Sequence, residues 1–238
     1  MSLHYKSSDW LQPPQSLAAC QKQRSIMGDF PATLPEYPAM PAPLIALQQQ
    51  IDFILEVDKL KSVLRKTKPV GLERYENSAE HSWQAALLAL AMAEHAPVAL
   101  DIDKVIRMLL IHDLGEIDTG DVIVYAATDS AEREAEELAA MHRICGLLPA
   151  RQAAGLVELW QEFEARQSAE ARFARAMDRL MPILLNLNRQ GQSWRENGVS
   201  KQQVLSMAAS KVSDGCPLAG QWLLQALDEA EKQGFFGA

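Results

Sequence analysis

The chain has 238 residues, enough for one sizeable domain or two small ones. Its apolar share of 48% is that of an ordinary globular protein, and an abundance of Ala, Leu, Glu and Gln favours helix over sheet. A formal net charge of −8 argues against a broad basic face for nucleic acid, while leaving room for a local basic pocket that takes a small phosphate.

Residues 1–43 hold seven of the twelve prolines, including PATLPEYPAMPAP, and read as an extended arm preceding a domain at 44–238. From Leu44 the pattern becomes helical: Leu47, Ile51, Ile54, Leu55 and Leu60 recur at helical spacing. Pro69 and Gly71 then interrupt it within RKTKPVGLERYEN. Asn77, with Glu80 three residues on, predicts a capped helix from Ser78 to about Glu94. A second helix is expected from Ile102 to about Leu114, followed by a tight turn between Gly115 and Gly120. The β-branched DVIVY would have no strand partner, so loop or short helix is expected there. Ser130 is expected to cap an acidic helix through Leu148, with further helices at 150–166, 169–190, 200–212 and 217–233. The result is an all-α domain with a single core.

Three scattered cysteines, Cys20, Cys145 and Cys216, make no CxxC pair and read as reduced thiols. The start of the chain lacks a basic-then-apolar signal pattern, and the longest apolar run, Ala85 to Ala93, is too short for a bilayer. A soluble cytoplasmic protein with neither membrane nor nucleic-acid partner is expected.

The chemistry concentrates in LLIHDLGEIDTGD, where His112, Asp113 and Glu116 follow directly on an apolar helix. Bare charge is costly in such a place, and a bound divalent metal is the most economical compensation. His81 sits early in its own amphipathic helix. Asp178 lies among Phe173, Met177, Leu180, Met181 and Leu184, with Arg175 or Arg179 as its ordinary ion-pair partner. Taken singly, each of these residues is more often structural than a ligand. Their order carries more: a histidine, then His-Asp 31 residues on, then an aspartate 65 residues later, each on a separate helix.

With ENSAEHS, HDLGEIDTGD and EARFARAMDRL, that order resembles the HD-domain metal-dependent phosphohydrolases, and within them the branch of 5′-deoxynucleotidases. The resemblance runs from about Leu44 to at least Asn188. It implies a helical HD-domain bundle holding one divalent ion (Mn, Co, Fe, Ni, Zn or Mg) on His81, His112, Asp113 and Asp178. It implies Glu116 as the acid that handles the attacking water, Asp121 as a carboxylate near the sugar, and Arg65, at the end of the first helix, on the phosphate side. The substrate implied is a (deoxy)nucleoside 5′-monophosphate, and the assembly a homodimer. Lys66 follows Arg65 where a tryptophan occurs in some relatives, and the spacing from Arg65 to His81 differs by one. Two other readings stand beside this one: a hydrolase of another nucleotide phosphate ester, and a non-catalytic nucleotide-binding HD module.

Plainer roles are expected for the remaining candidates. Trp83, Trp160 and Phe163 read as packing residues, Arg74 as the partner of Glu73 or Glu76, and Asp118 as a turn residue. The helix at 217–233, with Trp222, Leu223, Leu224 and Leu227, either closes the core or offers a face to a second copy.

Overall fold

In the computed structural model, residues 41–123, 125 and 130–237 are described, apart from the side chains of residues 130 and 131. Their regular structure is helical, and the one β-bridge among them joins Leu64 to Asn77.

Helix α1 (Ala42–Val57) starts inside the stretch read as arm, because Pro43 sits in its first turn, where a missing N–H costs nothing. Residues 1–40, most of the stretch read as an arm, lie outside the described set. No residue of α1 is buried: Leu44, Leu47, Ile51, Ile54 and Leu55 are all exposed. A 3-10 turn (Asp58–Ser62) follows and buries Leu60.

Helix α2 (Ser78–Ala91) has the expected capping box, with the Asn77 side chain accepting from the Glu80 N–H and Glu80 accepting from the Asn77 N–H. Its buried face, Ser78, His81, Ser82, Ala85, Ala86 and Ala89, is made of small residues apart from the histidine. That lets α2 lie close to α3 and α7. Helix α3 (Ile102–Ile111) is capped by Asp101, buries Val105, Met108 and Leu109, and stops at Ile111, short of the expected Leu114. Residues 112–115 turn, and a short α4 (Glu116–Thr119) ends at Gly120, whose φ of 73° is the left-handed conformation glycine adopts readily. In DVIVY, Asp121 to Ile123 are irregular as expected, and Val124 lies outside the described residues.

Helix α5 (Ser130–Cys145) ends before Leu148, and the side chain of its expected cap, Ser130, is not described. Helices α6 (Ala150–Ala165) and α7 (Ala169–Asn188) follow the periodicity closely. A short α8 (Gln192–Glu196) was not legible in the pattern. It exists because the Asn186 side-chain carbonyl accepts from the Ser193 and Trp194 N–H groups at 3.0 and 3.2 Å. The single helix expected at 200–212 is instead α9 (Lys201–Val204), a π turn (Leu205–Ala209) and α10 (Ser210–Gly215). Helix α11 (Pro217–Lys232) closes the chain, with Leu223 and Leu227 in the core and Trp222 and Leu224 half-exposed.

Helix α7 runs through the middle, packed by α2, α3, α6 and α10. Its buried residues include Phe173, Met177, Leu180 and Ile183, which join Met108, Leu109, Phe163 and Trp194 in the main core. A smaller cluster gathers Leu60, Leu114, Met141, Val157 and Trp160. Of the aromatic residues expected to pack, Trp160 and Phe163 are buried, whereas Trp83 is 61% exposed and packs little.

The α10–α7 contact depends on Gly215. A Cβ there would stand 2.1 Å from the Arg172 carbonyl oxygen and 2.8 Å from the Ala176 Cβ. Gly215→Ala is therefore expected to destabilise the fold by about 1–3 kcal/mol, read as a lower urea midpoint at unchanged slope.

Candidate metal centre

Three helices bring acids and imidazoles together, and His112, Asp113 and Asp178 line a cavity of about 270 Å³. The capping box of α2 places His81 one turn into that helix, fully buried. The end of α3 places His112 at the helix C-cap and Asp113 just beyond it. The middle of α7 supplies Asp178, 3% exposed.

The His112 ring is fixed from two sides. Its Nδ1 lies 2.8 Å from the Leu109 carbonyl, and Trp160 Nε1 donates to the His112 carbonyl at 3.1 Å. Phe163 meets the ring edge-on, with centroids 5.2 Å apart. With Nδ1–H donating, the neutral ring turns a bare lone pair at Nε2 toward Asp113 Oδ1 at 3.0 Å and Asp178 Oδ1 at 3.5 Å. His81 Nε2 faces the same Asp178 oxygen at 3.1 Å.

These facing lone pairs need a cation between them. His112 Nε2 is buried without a hydrogen-bond partner. Burial alone would lower the His112 pKa, yet the nearby Asp113 and Asp178 carboxylates outweigh it and push the pKa up to about 9. A proton would answer the same electrostatic demand that a metal answers. Donors held at about 2.1 Å from one ion lie about 3.0–3.4 Å apart when their angles run from 90° to tetrahedral, and the observed separations match. The ligand atoms of His81, His112 and Asp113 all lie within 4.8 Å of one another. The four groups therefore fit a divalent ion, and two imidazoles with two carboxylates suit a first-row metal.

Asp178 settles its own charge. Burial would raise its carboxyl, but the Arg179 charge and the facing His112 and His81 rings outweigh burial and hold it well below the ordinary carboxylate range. Arg179 Nε is 3.5 Å from Asp178 Oδ2, so the ordinary ion-pair partner is present, though beyond close hydrogen-bond range.

Glu116 does not continue the His112 helix, as same-face spacing would require; it opens α4 after the turn. It still reaches the cavity, 9% exposed, with Ser78 Oγ donating to Oε2 at 2.6 Å. Burial first, then the Asp113 charge, push its pKa up to about 8 against the pull of Arg65. Asp121 lines the same cavity, and burial raises its pKa despite Arg65.

Arg65 is not at the end of the first helix. It follows the 3-10 turn in extended backbone, where its N–H bonds the Glu76 carbonyl beside the Leu64–Asn77 bridge. Its Nη1 donates to Asp113 Oδ2 at 2.9 Å and lies 3.4 Å from Asp121, while Nε is 3.6 Å from Glu76. These carboxylates overcome burial and hold the guanidinium firmly charged. Glu76, 1% exposed, is itself held by the Thr67 hydroxyl.

Two plainer expectations change. Arg74 forks onto Glu80 at 2.5 and 2.8 Å rather than onto Glu73 or Glu76. Asp118 accepts two bonds from Arg143 at 2.6 Å, tying α4 to α5.

The HD domain family matches residues 57–219, which contain all seven candidate residues. The chain belongs to the HD-domain family. It is similar to a crystal structure from Magnetospirillum magnetotacticum MS-1 described as a "Predicted metal-dependent phosphohydrolase". That likeness is 41% identity and a TM-score of 0.76, over 82% of this chain and 100% of the other. A similar fold occurs in a conserved hypothetical protein of Pyrococcus furiosus, at 22% identity and TM-score 0.51 over 76% and 99% of the two chains. Among curated proteins, the human 5′-deoxynucleotidase HDDC2 is 31% identical over 56% of this chain and 65% of its own length. The match thus spans just under two thirds of that relative.

Several residues of this HD-domain site had no local signal in the sequence. Arg133 on α5 donates to the Gly120 carbonyl at 2.9 Å and so steadies the backbone next to Asp121. Thr67 and Glu76 act on the site through their own hydrogen bond across the turn, and Trp160 through its bond to the His112 carbonyl, 48 residues away.

Proposed function

We propose that this HD-domain protein hydrolyses (deoxy)nucleoside 5′-monophosphates to nucleoside and phosphate, with His81, His112, Asp113 and Asp178 holding one divalent ion. The observation that carries the reading is Glu116, buried and gripped by Ser78, lining one cavity with His112, Asp113 and Asp178. The cavity is near the lower end of the range for small-ligand sites, about 300–1,000 Å³, which suits one mononucleotide better than a polymer. The HDDC2 likeness supports the same substrate class.

A divalent ion held by these residues would supply Lewis acidity and lower the pKa of a water. Glu116 accepts that water's proton through the carboxylate oxygen not bonded to Ser78, as a general base with a raised pKa can. The water oxygen bonds to phosphorus, the P–O5′ bond breaks, and the departing O5′ takes up a proton from solvent, to which Glu116 later returns the one it accepted. Arg65 orients the phosphate, its guanidinium already locked by Asp113 and Glu76. Asp121 meets the sugar and favours deoxyribose.

The homodimer reading is supported by an apolar surface where Leu88 of α2 and Met92 at its C-cap meet Leu218 and half-exposed Trp222 of α11. A cytoplasmic setting is supported by Cys145 and Cys216, both buried free thiols. No described helix is long and apolar enough to cross a membrane.

The test is a nucleotide panel with Mn or Co. Phosphate released from deoxynucleoside 5′-monophosphates is the expected result. Release only from di-, tri- or cyclic phosphates supports the other hydrolase reading, and binding without release supports the non-catalytic module.

A further inference from the structure

The cavity is lined by several guanidinium groups, and carboxylates meet them unequally. Arg65 has three carboxylates within 3.6 Å. Arg133 is bonded to Glu137 at 2.7 Å. Arg175 lies 3.4 Å from Glu164 and over the Phe163 ring. Among the described residues Arg179 has only Asp178 as a carboxylate neighbour, at 3.5 Å, and its guanidinium makes no hydrogen bond to any of them. That aspartate is already faced by both histidines.

Helical phase aims Arg179 at the cavity. Arg175, Arg179, Pro182 and Asn186 are spaced by three and four residues and form one stripe of α7, with Asp178 beside it, and all five line the cavity. The Arg179 side chain is 18% exposed, so water compensates it only partly. An under-neutralised, largely buried cation beside a metal-ligating set is a site that favours an anion.

We propose that Arg179 is a phosphate-binding residue of this cavity, its guanidinium taking two phosphate oxygens on the Asp178 side while Arg65 holds the opposite side. The inference rests on the phosphohydrolase reading for the identity of the ester, but the subsite itself should take free inorganic phosphate. A purely structural role, balancing Asp178, makes a different prediction: losing Arg179 would lower metal content and leave the phosphate affinity of the metal-loaded protein unchanged.

The test is calorimetric titration of inorganic phosphate into the Mn-loaded full chain, with metal content measured in parallel. Arg179→Met is expected to weaken phosphate binding about 10- to 100-fold at unchanged Mn occupancy, the effect of losing one or two charge-assisted hydrogen bonds. Arg179→Lys keeps the charge and loses the fork, and is expected to fall between, at least about fivefold weaker than wild type. If Arg179→Met does not fold or does not hold Mn, Arg179→Lys decides alone. Phosphate affinity within about twofold of wild type in the deciding variant overturns the proposal, as does a wild-type protein that binds no phosphate. Wild type that binds phosphate through Arg179 yet hydrolyses no nucleotide would sink the hydrolase reading and leave this one standing. Hydrolysis with phosphate binding indifferent to Arg179 would do the reverse.

Discussion

Glu116→Gln is expected to reduce phosphate release by about 10²- to 10⁴-fold, the usual worth of a positioned acid–base group, while the protein keeps its fold and its metal. The substitution keeps the shape of the side chain, and the amide oxygen still accepts from Ser78 Oγ, now 2.6 Å from Oε2. What it removes is the capacity to take a proton. Glu116 is outside the proposed ligand set, so metal content measured by elemental analysis should match wild type. Ordinary turnover by the variant would contradict the role given to Glu116, and loss of metal would make it a ligand instead.

His112→Ala is expected to lower divalent-metal affinity by more than about 100-fold, since losing a mere outer-shell partner already costs 10–100-fold. His112 Nε2 faces both Asp113 and Asp178, so its removal strips the cluster of the donor those carboxylates share. Binding of an ion to the folded state alone adds about 2.7 kcal/mol when the ion is present at 100 times its Kd. Wild type should accordingly show a rise in melting temperature with Mn, and His112→Ala should show none. The ring also packs on Phe163, so the variant is expected to melt somewhat lower even without metal. An Mn-dependent rise of the same size in both proteins would contradict the assignment.

How much of this was legible in the sequence depends on the range of the interaction. The capping box at Asn77 and Glu80 is local chemistry and reads directly from spacing. The face of α3 that buries Val105, Met108 and Leu109 is local periodicity and reads equally well. Its end does not: the helix stops at His112, whose carbonyl takes a bond from Trp160 Nε1, 48 residues on. Arg65 was placed at a helix end because nothing nearby signals the bridge between Leu64 and Asn77 that extends the backbone there. The break at Leu205–Ala209 and the short α8 likewise answer to packing and to Asn186 rather than to their own residues. The ligand set stood out in the sequence as an order of residue types, yet the meeting of His81 with Asp178, 97 residues apart, is a property of the fold alone.

The most direct measurement is anomalous diffraction from crystals grown with Mn. A single anomalous peak bonded to His81, His112, Asp113 and Asp178, with Glu116 outside the coordination sphere, is the result expected. Crystals that hold Mn elsewhere, or show these four side chains turned away from one another with no peak between them, would contradict the account.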